Sequence, residues 1–161
     1  MTKLMLSVHV LAAILAIGPV AVAASMFPRL ARERAAGGAG GRGAGLPRFL
    51  HRICRVYTIV GIAVPAFGAA TAAQLGVLGD AWLIVSMILT AVAAAILTLV
   101  ILPGQRRLLT VVSATVTGAE SAAAEVRSAA ARLAALTGVF NLIWAVVVVL
   151  MIVRPGSTTG V

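Results

Sequence analysis

The sequence predicts an all-α membrane protein: a four-transmembrane-helix up-down bundle, with cytoplasmic helical extensions of helices 3 and 4. Three observations carry this reading. Of the 161 residues, 61% are hydrophobic and only 11% are charged, against roughly 25% charged in a soluble domain. A soluble fold has too little interior to hide that much apolar surface, and a disordered chain is poor in apolar residues. The apolar residues fall into four runs, each long enough to cross about 30 Å of hydrocarbon as a helix. The basic residues fall between those runs or at their ends.

The first run covers residues 4–26, the second 54–78, the third 82–102 and the fourth 134–153, and none has Asp, Glu or Lys in its interior. Helices satisfy every backbone polar group internally, so each run reads as a helix. The whole chain, 1–161, forms one membrane domain. An alternative for the N-terminus is a signal peptide ending at Ala21-Val22-Ala23-Ala24-Ser25. The apolar run is longer than a usual signal core, and its arginines follow it, which favours an anchor with the N-terminus outside.

The charges set the direction. Thirteen Lys and Arg stand against four Asp and Glu, for a net charge of +9. Seven arginines lie between the first run and the first turn of the second, Arg55 being the last of them, and four between the third and fourth, whereas the turn between the second and third carries only Asp80. The positive-inside bias puts both arginine-rich loops in the cytoplasm and both termini outside, in the plasma (inner) membrane. The preference for Arg over Lys and the abundance of Ala fit a bacterial genome rich in G and C. Aromatic residues are scarce at 4%, so the basic groups point to anionic lipid headgroups and not to nucleic acid. Arg29, Arg32, Arg48, Arg52, Arg55, Arg106 and Arg107 are the expected lipid-phosphate contacts. The single cysteine, Cys54, says nothing of redox compartment.

Between the runs, residues 35–45 read as a flexible Gly-rich linker. Gly38 to Gly43 formally fits G-x-G-x-x-G, but no strand precedes it and no helix opens on it. The third loop reads as helix. Leu109, Val112, Val116, Ala119, Ala123, Val126, Ala130 and Leu133 recur at spacings of three and four, one apolar stripe. Thr117 and Glu120 fit a capping box. The third helix is therefore expected over 82–116, kinked at Pro103-Gly104, and the fourth over 118–153, so that two helical extensions stand in the cytoplasm. A segment lying on the membrane surface is the alternative.

Few residues could carry chemistry. His9 is the ionisable side chain inside a span, and such residues are functional suspects. The structural alternative is a neutral imidazole hydrogen-bonded to Ser, Thr or a backbone carbonyl between helices. A haem would need a second axial ligand. His51 is the other histidine and lies about 20 Å from His9 along the membrane normal by helix rise, so the two cannot share an iron. Met5 and His9 share a face and would suit copper, but a third ligand is missing. No carboxylate sits in a span, which argues against a proton-coupled pump. Gly18-Pro19 and Pro65 are expected to interrupt the first and second helices. Gly61, Gly68, Ala69, Ala73 and Gly76 are expected to allow close helix approach. Asn141 is expected to hydrogen-bond across helices near Trp144, and Trp82 and Tyr57 stand at interfacial positions. Hydrolase and zinc motifs are absent.

These residues also resemble a family. The first span reads His9-Val-Leu-Ala-Ala-Ile-Leu15, then Gly18; a basic stretch follows; Pro65 lies in the second span. Asp80-Ala-Trp82 opens the third, Pro103 closes it, and Met151-Ile-Val-Arg154-Pro155 ends the fourth. The pattern is similar to the bacterial integral-membrane family called domain of unknown function 2269, over most of the chain outside the Gly-rich linker. Gly18-Pro19 stands where that family tends to have paired glycines. The resemblance implies four helices and a membrane location, and implies no activity.

The expectation is therefore a non-enzymatic accessory or assembly subunit without a cofactor, with a membrane-protein partner or a second copy of itself. The alternatives are a small transporter or channel component, with His9 in an outer polar pocket, and copper or redox handling through Met5 and His9. Candidate functional polar residues are His9, Asn141 and Trp82.

Overall fold

The computed structural model describes residues 2–36, 45–115 and 120–156. These form α1 (Thr2–Ala35), α2 (Leu46–Gly61), α3 (Ala63–Leu75), α4 (Ala81–Ala95), a π-helical stretch (Ile96–Ile101), α5 (Leu102–Thr115) and α6 (Glu120–Val153). No strand occurs among the described residues. Four helical stretches are long and apolar enough to cross a membrane: Lys3–Ala35, Leu46–Leu75, Ala81–Ser113 and Ala123–Val153. The all-helical, four-span class is thus as the hydropathy implies.

The helices overrun the apolar runs. The first continues nine residues past 26, through Pro19 and Pro28, without a break. Each proline removes one backbone bond. Ala16, Val20, Ala23, Ala24, Phe27 and Ala31, spaced three and four apart, are buried and hold the helix to its neighbours along that whole length. The expected interruption at Gly18-Pro19 is therefore not found. α2 begins eight residues before 54, with Pro47 in its first turn, where a missing N–H costs nothing. Pro47, Leu50 and Cys54 are buried on one face, while Arg48, Arg52 and Arg55 lie exposed on the other.

The second span does break, but at Ile62. Its N–H turns back to the Ile59 carbonyl at 3.2 Å. Pro65 then falls in the first turn of α3, where it needs no partner. Gly76 proves to be a helix cap and not a packing residue. It adopts φ 70°, ψ 18°, and the Val77 N–H reaches the Ala72 carbonyl at 3.2 Å. A left-handed residue with this six-to-one bond closes a helix, and glycine adopts it without strain.

The third span is irregular ahead of Pro103. The kink expected at Pro103-Gly104 is instead taken up by the π-helical stretch, in which the Leu102 N–H bonds to the Leu97 carbonyl, five residues back. Proline has no N–H for the carbonyl four residues earlier and collides with it, and a wider turn just upstream relieves both problems. The capping pair Thr117 and Glu120, the turn at 117–118, Val116 and Ala119 of the stripe, and linker residues 37–44 lie outside the described residues or side chains.

Packing is deepest where the arginine-flanked ends of the spans meet. Phe27, Cys54, Ile101, Val126, Ala130 and Phe140 belong to one buried cluster. Arg107 approaches Glu125 at 3.9 Å, while Arg154 lies over Trp82, so α4–α5 and α6 run side by side in opposite directions. Leu15, Ile59, Leu99, Leu142 and Ile152 are each more than 60% exposed. That girdle of large apolar side chains is intolerable in water and ordinary in lipid.

Candidate functional site

Buried Thr71, Ser86 and Thr137 bond back to their own helices; other polar side chains form four helix junctions. At the first, His9 of α1 meets α3, its Nδ1 lying 2.9 Å from the Val64 carbonyl oxygen. A carbonyl oxygen only accepts, so Nδ1 carries a proton and donates to it. A Cβ on Gly68 would lie 2.9 Å from His9 Cε1 and 3.2 Å from Nδ1. Gly68 is therefore the seat of the imidazole, and close approach here depends on a missing side chain. Gly61 has nothing within 4 Å of a built Cβ, so it makes no such contact.

The second junction was not visible in the sequence. His51 Nδ1 donates to Gln105 Oε1 at 2.8 Å, and Gln105 Nε2 donates to Cys54 Sγ at 3.6 Å. Gln105 is fully buried. It stands in register with Ala93, Leu97 and Ile101, all buried. That register carries no mark in the sequence, because the residues from Ile96 to Ile101 are apolar almost throughout. His9 and His51 thus serve separate junctions, α1 with α3 and α2 with α5. Among the described residues, no group of three or more His, Cys, Asp or Glu gathers in a way that could hold a metal ion.

At the third junction Asn141 Nδ2 donates to Ser25 Oγ across α6 and α1, at 3.1 Å. Asn141 Oδ1 and Trp144 Nε1 are buried without a partner. The Trp144 ring meets Phe140 edge-on at 6.3 Å. A buried donor without an acceptor costs about 1–3 kcal/mol. Trp144→Phe keeps the aromatic contact and removes that donor, so it is expected to change stability by less than about 1 kcal/mol despite the smaller ring. Thermal unfolding in detergent checks this, and a loss near that of an ordinary large-to-small core change would show the indole nitrogen to be satisfied.

The fourth junction closes the opposite end of the bundle. Trp82 Nε1 donates to Asp80 Oδ2 at 2.9 Å, which explains why Asp80 flanks α4 without capping it through its side chain. The Arg154 guanidinium lies 5.6 Å from the Trp82 ring centroid, a cation–π distance. Arg154 itself takes φ 45°, and its Nε donates to the Met151 carbonyl at 3.3 Å. Trp82 is only 7% exposed, so it is a packed residue beneath Arg154 more than an open interfacial anchor.

The seven arginines named as lipid contacts are all exposed. Arg29 is paired with Glu33 at 2.8 Å on the same helix, and Arg107 is loosely paired with Glu125.

Comparison with curated proteins gives no match, and comparison with solved structures gives none. A family model described as predicted integral membrane protein, DUF2269, matches residues 3–155. With His9, Pro65, Trp82, Pro103 and Arg154 all inside that match, the chain belongs to the DUF2269 family of integral membrane proteins.

Proposed function

We propose that the protein is a non-catalytic accessory or assembly subunit of the bacterial plasma membrane. The observation that carries this reading is the seating of His9, the one ionisable side chain deep within a span, whose Nδ1 joins two helices through the Val64 carbonyl. A histidine engaged in this way holds helices together; a relay or ligand histidine has to turn toward water or cargo. The spans form an up-down bundle with both termini outside and the arginine-rich loops in the cytoplasm. α5 and the first turns of α6 extend there as a helical pair, and the exposed arginines touch anionic headgroups. The exposed apolar girdle leaves room for a membrane-protein partner or a second copy.

Two measurements test this. His9→Cys, in a Cys54→Ala background, is expected to resist a water-soluble thiol reagent from either side. Rapid labelling from outside would favour the transport reading with His9 in a polar pocket. Light scattering of the mildly solubilised protein is expected to give a mass of fixed stoichiometry with a partner or a second copy; a lone 16.3 kDa chain would overturn the subunit assignment. Orientation is read separately. Gly40→Cys is expected to label only from the cytoplasmic face, and labelling from outside would invert the topology.

A further inference from the structure

The arginines of α2 differ from the others at this end of the bundle. Arg48, Arg52 and Arg55 follow one another at intervals of four and three, so they share one helical face. All three are exposed. Among the described residues, no hydrogen bond or ion pair reaches any of their side chains. The opposite face of α2 is fixed by burial of Pro47, Leu50 and Cys54 and by the bond from His51 to Gln105. The helix therefore cannot roll to hide its charges, and the strip faces outward as a constant feature of the fold.

Its depth says what it meets. Residues 56–75 carry no charge and, at 1.5 Å per residue, span about 30 Å, the thickness of the hydrocarbon layer. Arg55 then stands at the hydrocarbon boundary, with Arg52 about 5 Å and Arg48 about 10 Å beyond it. The headgroup layer is about 5–7 Å deep on each side, so Arg55 and Arg52 stand in the layer where lipid phosphates lie, and Arg48 stands at its outer edge with a side chain long enough to reach into it. Beside the arginines on the same exposed surface run Phe49, Val56 and Val60, which are 57%, 44% and 46% exposed. A cationic strip with an apolar strip at its side matches one molecule with an anionic head and an apolar tail.

We propose that this face of α2 is a binding site for an anionic phospholipid. Its phosphodiester sits against Arg48, Arg52 and Arg55, and its acyl chain lies along Val56 and Val60. Guanidinium groups give forked, charge-assisted hydrogen bonds to phosphate oxygens. The proposal deepens the lipid contact in the functional reading above. It rests on the membrane span and not on which side of the membrane the arginine-rich end faces.

The test uses the purified full-length protein in detergent, titrated with phosphatidylglycerol or phosphatidylcholine, with bound lipid counted by native mass spectrometry. Phosphatidylglycerol is expected to bind and phosphatidylcholine to bind far more weakly. Each basic group near a membrane surface is worth roughly fivefold, so the triple variant R48Q/R52Q/R55Q is expected to weaken phosphatidylglycerol binding on the order of a hundredfold. A control with the same loss of charge elsewhere, K3Q/R127Q/R132Q, all exposed, is expected to stay within a few-fold of the parent. If the strip variant does not fold, R52Q alone is expected to weaken binding about fivefold. Equal losses in the strip and control variants, or equal binding of the two lipids, would overturn the site while leaving orientation and partner assignments untouched. Full displacement by millimolar inorganic phosphate would also overturn it, by identifying a site for free phosphate instead of lipid.

Discussion

Gly68→Leu is expected to leave little folded protein. The argument rests on the 2.9 Å between a built Cβ and His9 Cε1. Even the first carbon of the new side chain collides with the imidazole, and the rest of a leucine has to occupy the junction between α1 and α3. The ring cannot swing aside freely, because its Nδ1 is bonded to the Val64 carbonyl. Overpacking costs about 1–3 kcal/mol and a broken interhelical bond adds about 1 kcal/mol, so the expected loss is roughly 3 kcal/mol or more. Gly68→Ala is milder, at about 1–2 kcal/mol by the same terms. The diagnostic is coupling. In a His9→Ala background the new methyl meets the space the ring left, and Gly68→Ala is expected to cost less than about 0.5 kcal/mol. Gly61→Ala and Gly138→Ala are the controls, because a Cβ at either meets nothing within 4 Å. Each is expected to be neutral or to stabilise by up to about 1 kcal/mol through helix propensity. Thermal unfolding of the parent, the five single variants and the His9→Ala/Gly68→Ala double variant in one detergent measures all of these. Additive penalties at His9 and Gly68 would show that the two do not share a seat.

The same pair shows how far sequence can go. His9 was recognisable because an imidazole in an apolar run needs an explanation, and a backbone carbonyl on a neighbouring helix was one of the partners foreseen. Which carbonyl it would be was not legible, since the Val64 oxygen carries no mark in the sequence. The four spans were legible because bilayer thickness imposes a length on apolar runs. Their true ends were not. Residues 46–53 are rich in arginine, so hydropathy places them outside a span, yet burial of Pro47, Leu50 and Cys54 on one face continues the helix through them. Gln105 is hidden for a different reason. A lone glutamine beside Arg106 and Arg107 reads as surface, and only the phase of the preceding helix turns it inward. That phase is hidden, because Ile96-Leu-Thr-Leu-Val-Ile101 is apolar almost throughout and has no periodicity to read.

Removing one residue from the π-helical stretch is expected to be tolerated, whereas the same deletion in α4 is expected to destroy the fold. Ala93, Leu97, Ile101 and Gln105 are all buried, and the first and last are twelve residues apart. In a regular α-helix that separation turns the chain by about 1,200°, about 120° past three full turns, and Gln105 would face lipid. The wide turns of Ile96–Ile101 absorb the excess. Deleting Thr98, which is exposed, leaves eleven steps, or about 1,100°, within about 20° of three turns. The helix can then become regular and still deliver Gln105 to His51 and Cys54, at an expected cost of about 3 kcal/mol, the clash at Pro103 that the wide turn had relieved. Deleting Met87, also exposed, offers no such relief. It rotates Trp82, Leu83 and Ser86 by about 100° relative to everything downstream. Trp82, with Asp80 still bonded to it, leaves Arg154, and three buried side chains turn to the outside, a loss of well over 5 kcal/mol when large-to-small core costs are taken as the scale. Yield of monodisperse protein and thermal unfolding distinguish the two deletions. If the Thr98 deletion is as damaging as the Met87 deletion, the π stretch is not an inserted residue held in place by core register. Its cause must then lie in Pro103 alone, and Pro103→Ala should straighten the helix and turn Gln105 out of the core.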